Sequence, residues 1–146
     1  NINYKNIWFY IRVLFMKFVL RIIFVFFFFT SVVSAAEFGL EFEWGNLKKC
    51  NTGNPNKVDN PLFKLSNVPE GTKILQFRMK DKNAPGYNHG GGKVEYSGQN
   101  TIEPGAFKYK SPCPPGGVHT YIWTVTAKNE KKKKIGKATA KRKYPE

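Results

Sequence analysis

The sequence predicts an all-β domain, a sandwich of two sheets, behind an apolar leader. Three observations predict it. Apolar and polar residues alternate in "EFGLEFEW", "TKILQFRMKD" and "HTYIWTVTA", the period of strands with one buried face. After position 36 no long segment repeats apolar residues at helical spacing. The connecting stretches are crowded with Asn, Gly and Pro, whose backbone preferences and side-chain hydrogen bonds favour turns over ladders. About four or five short strands separated in this way suit two packed sheets that bury the apolar rows between them.

Residues 1–15, "NINYKNIWFYIRVLF", precede the first methionine and are set aside from the fold as upstream sequence. Residues 16–36 have the three parts of an export signal. Lys17 and Arg21 form a positive start, "IIFVFFFFTSVV" an apolar centre, and "VVSAAEF" offers small residues for cleavage near Ala35 or Ala36. A membrane anchor needs about 20 consecutive apolar residues, and Arg12, Lys17, Arg21 and Glu37 interrupt every such window. Residues 37–146 then form one domain, about 110 residues, enough for a single core.

Within it, "EFGLEFEW" sets Phe38, Leu40, Phe42 and Trp44 on one face and Glu37, Glu41 and Glu43 on the other. "KKCNTGNPNKVDNP" reads as a long loop. In "TKILQFRMKD" Leu75, Phe77 and Met79 face inward, and by parity Asp81 ends the same row. A carboxylate there is costly to bury unless donors or counter-charges meet it. "DKNAPGYNHGGG" follows, with His89 before three glycines that supply positive φ or room for close backbone approach. In "HTYIWTVTA" Tyr121, Trp123 and Val125 share a face, and His119 starts that row. "IGKATAKRKY" returns through the lysine-rich turn as a hairpin partner, with Ala138 and Ala140 set against Trp123.

The chain carries 24 Lys and Arg against 10 Asp and Glu, a formal charge of +14. Such an excess favours anionic partners, including membrane surfaces, although lysines on hairpin ends and edge strands also serve to block aggregation. No RNP, zinc-finger or helix-turn-helix pattern is present, so nucleic acid is not an expected partner. The two cysteines, Cys50 and Cys113, would meet an oxidising compartment in an exported chain. They are expected to pair, since both lie in loops flanking the candidate site and no C-x-x-C spacing recommends a metal.

Covalent catalysis finds little support. No G-x-S-x-G surrounds Ser97 or Ser111, and a disulfide would remove the Cys113 thiolate as a partner for His119. Asp81, His89 and His119 form a two-histidine, one-carboxylate set, but with neither H-x-H nor H-x-x-x-H spacing, so no metal or other cofactor is expected. A small anion pocket fits better. Imidazoles and glycine amides donate to phosphate or carboxylate, and a neighbouring carboxylate fixes an imidazole's tautomer.

Taken together and in order, "CNTGNPNKVDNPLFKLSNVPEGTK", "MKDKNAP", "NHGGG" and "SPCPPGGVHTYIWTVTA" resemble the phosphatidylethanolamine-binding protein family, in particular its short bacterial, Raf-kinase-inhibitor-like members. The resemblance runs from about Cys50 to Ala127. It implies a Greek-key β-sandwich and a small surface pocket for phosphate-like anions and phospholipid head groups, without catalysis. It assigns Asp81 as the pocket acid, His89 and His119 as its histidines, Pro115 to the wall and Tyr121 as the aromatic. Lys82, Asn83, Gly90 and Thr120 stand where the family has proline, aspartate, an aromatic and arginine, which implies a more open pocket with changed charge. The family also includes protease and kinase regulators, so the alternative expectation is a protein-interaction module working through the pocket loops or Lys131–Lys134.

Overall fold

The computed structural model describes residues 4–26 and 36–146. The chain divides into two units, 1–35 and 36–146. In the first, α1 (Tyr4–Phe26) runs through the Phe15–Met16 boundary without a break and presents Trp8, Phe9, Leu14 and Phe18 exposed. Most of the apolar centre and the cleavage region up to Ala35 of the expected export signal lie outside the described residues. Among those that are described, no helix is long and apolar enough to cross a membrane.

The second unit is all-β, with nine strands rather than four or five. They are β1 (Gly39–Phe42), β2 (Lys57–Asp59), β3 (Phe63–Ser66), β4 (Ile74–Asp81), β5 (Gly91–Glu95), β6 (Thr101–Ile102), β7 (Lys108–Lys110), β8 (His119–Lys128) and β9 (Lys134–Tyr144). All pairings are antiparallel, in the orders β1-β3-β6, β2-β7 and β5-β4-β8-β9. The extra strands are two to four residues long, too short to show a period against their Asn, Gly and Pro surroundings.

The four-stranded sheet forms one layer, and the other two sheets form the second. After β5 the chain crosses to that second layer for β6 and β7, and β8 returns to pair with β4, the over-and-back connection of a Greek-key sandwich. Leu40, Phe42, Phe63, Leu65, Ile102 and Tyr109 meet Leu75, Phe77, Met79, Tyr121, Trp123, Val125 and Ala127 in one core. The alternation expected for the three long rows therefore holds. Ala138 and Ala140 lie opposite Val125 and Trp123 across the β8–β9 hairpin, and Trp44 Nε1 donates to the Lys143 carbonyl at 2.7 Å.

The glycines after His89 serve packing between strands. Gly90 has φ +82°, and a Cβ on Gly92 would lie 2.2 Å from the Phe107 ring. That ring stacks on Phe63 and Phe77, so the missing side chain lets β5 close over the core. Cys50 and Cys113 form a disulfide across 63 residues of sequence. Beside it, Tyr144 Oη accepts from the Cys50 amide at 3.1 Å and donates to the Lys48 carbonyl at 3.2 Å. The segment after β1 is thus strapped to the end of β9.

Candidate functional site

Asp81 ends the inward row of β4 and stands opposite Tyr121 on β8. It is only 3% exposed, and its cost of burial is met on both oxygens. Oδ1 accepts from the Asn83 amide at 2.8 Å and the Ala84 amide at 3.2 Å; Oδ2 lies 2.7 Å from His119 Nδ1. Burial alone would raise this carboxyl. The bonds from His119, Asn83 and Ala84, with the charge of His119, outweigh it and hold Asp81 below its usual range. Since a carboxylate can only accept, His119 Nδ1 carries the proton and its Nε2 is left free.

His89 reaches the same cluster from the β4–β5 loop. Its Nδ1 lies 2.9 Å from the Lys110 carbonyl, which again only accepts, so Nδ1–H donates there and Nε2 is free. Its own carbonyl takes the Lys110 amide at 2.8 Å. This two-bond clamp from β7 fixes a ring that is 3% exposed. Burial pulls the His89 pKa below 6.5, against the raising effects of the Lys110 carbonyl and the Asp81 charge. His89 is therefore neutral at pH 7.

Tyr121 joins the two histidines. Its ring centroid is 5.4 Å from that of His89, at 89°, and 6.3 Å from that of His119, at 29°. Burial, followed by the Asp81 charge and a hydrogen bond to Asp81, raises its phenol, so the hydroxyl stays protonated with its hydrogen directed to Asp81. The structure thus gathers four of the five expected residues. The fifth, Pro115, is exposed at the turn before β8 with Gly53 as its neighbour, whereas Pro114 beside it is fully buried.

Two further groups complete the rim. Tyr87 packs edge-on against His89 at 4.6 Å, and Lys110 Nζ sits 5.1 Å from the Tyr87 ring centroid. Tyr87 is two residues before His89 and falls within "DKNAPGYNHGGG", but nothing in the sequence told its role from that of a turn residue. Lys110 is brought in by the β2–β7 pairing, which is not legible locally. A larger concavity of about 1080 Å³ lies elsewhere, between Trp44, Leu47, Pro61, Tyr109 and Arg142. Its one deeply buried polar side chain, Asn60, is already bonded to Pro61, Glu103 and Phe107. No group of three or more His, Cys, Asp or Glu side chains suited to a metal occurs among the described residues.

No protein-family model and no curated protein sequence matches the chain. Solved structures do. One, described as a phosphatidylethanolamine-binding protein homologue, CT736 of Chlamydia trachomatis, aligns at a TM-score of 0.53 and 15% identity, over 77% of this chain and 99% of its own. E. coli YbcL, described as a new member of the mammalian family of that name, aligns at 0.54 and 18%, over 75% of this chain and 98% of its own. The chain has the phosphatidylethanolamine-binding protein fold.

On that fold, the substitutions noted in the sequence have local structural uses. Asn83 Oδ1 accepts the Thr120 amide at 2.9 Å, and the Lys82 amide donates to the Thr120 carbonyl at 2.8 Å. Both bonds tie the loop after β4 to the start of β8, which keeps Asp81 and His119 in register. Gly90 at positive φ lets the chain turn from the clamped His89 into β5. Its main chain remains paired, with the Gly90 carbonyl accepting the Met79 amide at 3.1 Å.

Proposed function

We propose that residues 37–146 are an exported, non-enzymatic member of the phosphatidylethanolamine-binding protein family whose cluster of Asp81, His89, His119 and Tyr121 holds a small anion. Phosphate, a carboxylate or the phosphate of a phospholipid head group has the required chemistry. One observation carries the reading: a buried imidazole, His89, and a half-buried one, His119, each held through Nδ1 by a protein acceptor, flank one tyrosine. A bare Nε2 accepts a hydrogen bond, but once protonated it donates to an anion with charge assistance. The Asp81 carboxylate orients His119 through Nδ1, and Lys110 adds a positive charge at the rim. Binding without catalysis is supported by the absence of a free thiol, since Cys113 is disulfide-bonded. The Ser111 hydroxyl is likewise engaged, with the Asn56 amide at 3.2 Å. Export is supported by that disulfide and by the leader composition.

Because His89 is neutral when empty, taking up an anion should also take up a proton. Sulfate keeps the same charge from pH 5 to 8, so its affinity should rise as pH falls, by up to about tenfold per unit for one linked proton. Calorimetric titration of the full chain with sulfate and with glycerophosphoethanolamine, for wild type and His119→Ala, tests this. Binding that strengthens toward acid and disappears in the variant is expected. No binding to wild type, or equal binding to both, would overturn the reading.

A further inference from the structure

The outer face of the four-stranded sheet has a charge pattern that the anion cluster does not explain. On the face turned away from the core, β4 presents Arg78 and Lys80, β5 presents Lys93 and Glu95, and β9 presents Lys137, Lys141 and Lys143. Between these flanks β8 shows Thr120, Ile122, Thr124 and Thr126, all half-buried. The register aligns them in cross-strand rows. Lys80, Ile122 and Lys141 form one row, Arg78, Thr124 and Thr139 the next, and Gln76, Thr126 and Lys137 a third that reaches Lys93 on β5. The domain's lysine and arginine ion pairs, Lys108–Asp59 and Arg142–Glu146, use none of these side chains. Glu95 is the face's one acid.

Edge protection accounts for lysines on β9, an outermost strand. It does not account for Arg78, which is paired on both sides, with Gly91 on β5 and Thr124 on β8. Two strand spacings separate β4 from β9, so the basic rows stand about 10 Å apart, along a threonine-floored strip about 20 Å long.

We propose that this strip is a binding track for one chain of an acidic polysaccharide. Long basic side chains on both sides would meet its sulfate or carboxylate groups, while the threonine hydroxyls between them are sized for sugar hydroxyls. A flat lipid surface suits the face less well. The domain's exposed large apolar residues, Tyr87 and Val118, lie outside it, leaving no apolar wedge to enter the membrane interface. Single-stranded nucleic acid also fits poorly, because no aromatic residue is present on the strip to stack bases.

The test is fluorescence anisotropy of a labelled heparin octasaccharide with the full chain over a salt series. Wild type is compared with R78Q/K80Q, K137Q/K141Q and the turn variant K131Q/K133Q, which loses the same charge. Each flank variant should lower the affinity by about tenfold or more and reduce the slope of log K against log salt by about 2, one per lost contact. The turn variant should change neither. R78K/K80R should retain binding. Amide shift mapping on wild type, which needs no variant, should place the octasaccharide on Thr120–Thr126. Three results would each overturn the proposal: an equal loss in the turn variant, shifts that map away from β8, or tighter binding of phosphatidylglycerol vesicles or an oligothymidylate than of the octasaccharide.

Discussion

Replacing both Cys50 and Cys113 by serine should lower stability by about 4 kcal/mol while leaving the native structure in place. The disulfide joins residues 63 apart in sequence, and for a loop of that length the chain-entropy relation gives about 4 kcal/mol at 25 °C. Most of this arises in the unfolded chain, because other bonds hold the folded strap. Trp44 Nε1 still donates to the Lys143 carbonyl, and Tyr144 Oη still bridges the Cys50 amide and the Lys48 carbonyl. With a urea dependence of about 2 kcal/mol per molar, the midpoint should fall by about 2 M. Trp44 and Trp123, both buried, report the transition by fluorescence. A fall of less than about 0.5 M at unchanged slope would refute the view that this crosslink restrains the unfolded domain.

Gly92→Val should cost about 1 to 3 kcal/mol by overpacking, since its Cβ would overlap the Phe107 ring; urea unfolding reads the loss, and sulfate affinity should drop with it as β5 shifts next to His89. Acid should destabilise the domain in two steps. His89 has a lowered folded pKa, so the unfolded chain binds more protons as pH falls through 6.5, and stability declines there. Asp81 is also lowered, so its contribution is complete above its unfolded value of 3.8 and is lost as pH falls through the folded one. Asp81→Asn should abolish the second step and spare the first, as measured by urea midpoints between pH 3 and 7. Tyr144→Phe removes two hydrogen bonds at once and should cost about 1 to 2 kcal/mol without changing sulfate binding.

The long rows were legible because their burial follows from a two-residue period that local sequence carries. That parity also turned Asp81 inward and placed His119 at the head of the β8 row. His89 sits in a loop, where no period applies, and residue type and the family resemblance linked it to them. Its depth comes from a clamp on Lys110, a residue 21 positions away. Tyr87 and Lys110 were missed for the same reason: their roles depend on β7 pairing with β2 rather than on neighbouring residues. Pro115 was placed by the resemblance alone. The resemblance assigned it to the pocket wall, but in this turn the buried proline is Pro114, and Pro115 faces outward with Gly53 beside it. The triple glycine offered two readings, positive φ or close approach, and both occur, at Gly90 and Gly92. The close partner is the chain's own Phe107 ring.

The central claim is that His89 and His119 present free Nε2 atoms to one shared anion. Nitrogen-15 imidazole spectra of the full chain, recorded with and without sulfate at pH 6.5, test this most directly. Without sulfate, neutral His89 should show the tautomer protonated on Nδ1, as its bond to the Lys110 carbonyl requires. On adding sulfate, the Nε2 signals of both histidines should move together along a single binding curve. Movement of one alone, of neither, or of the two with different midpoints would contradict a shared site.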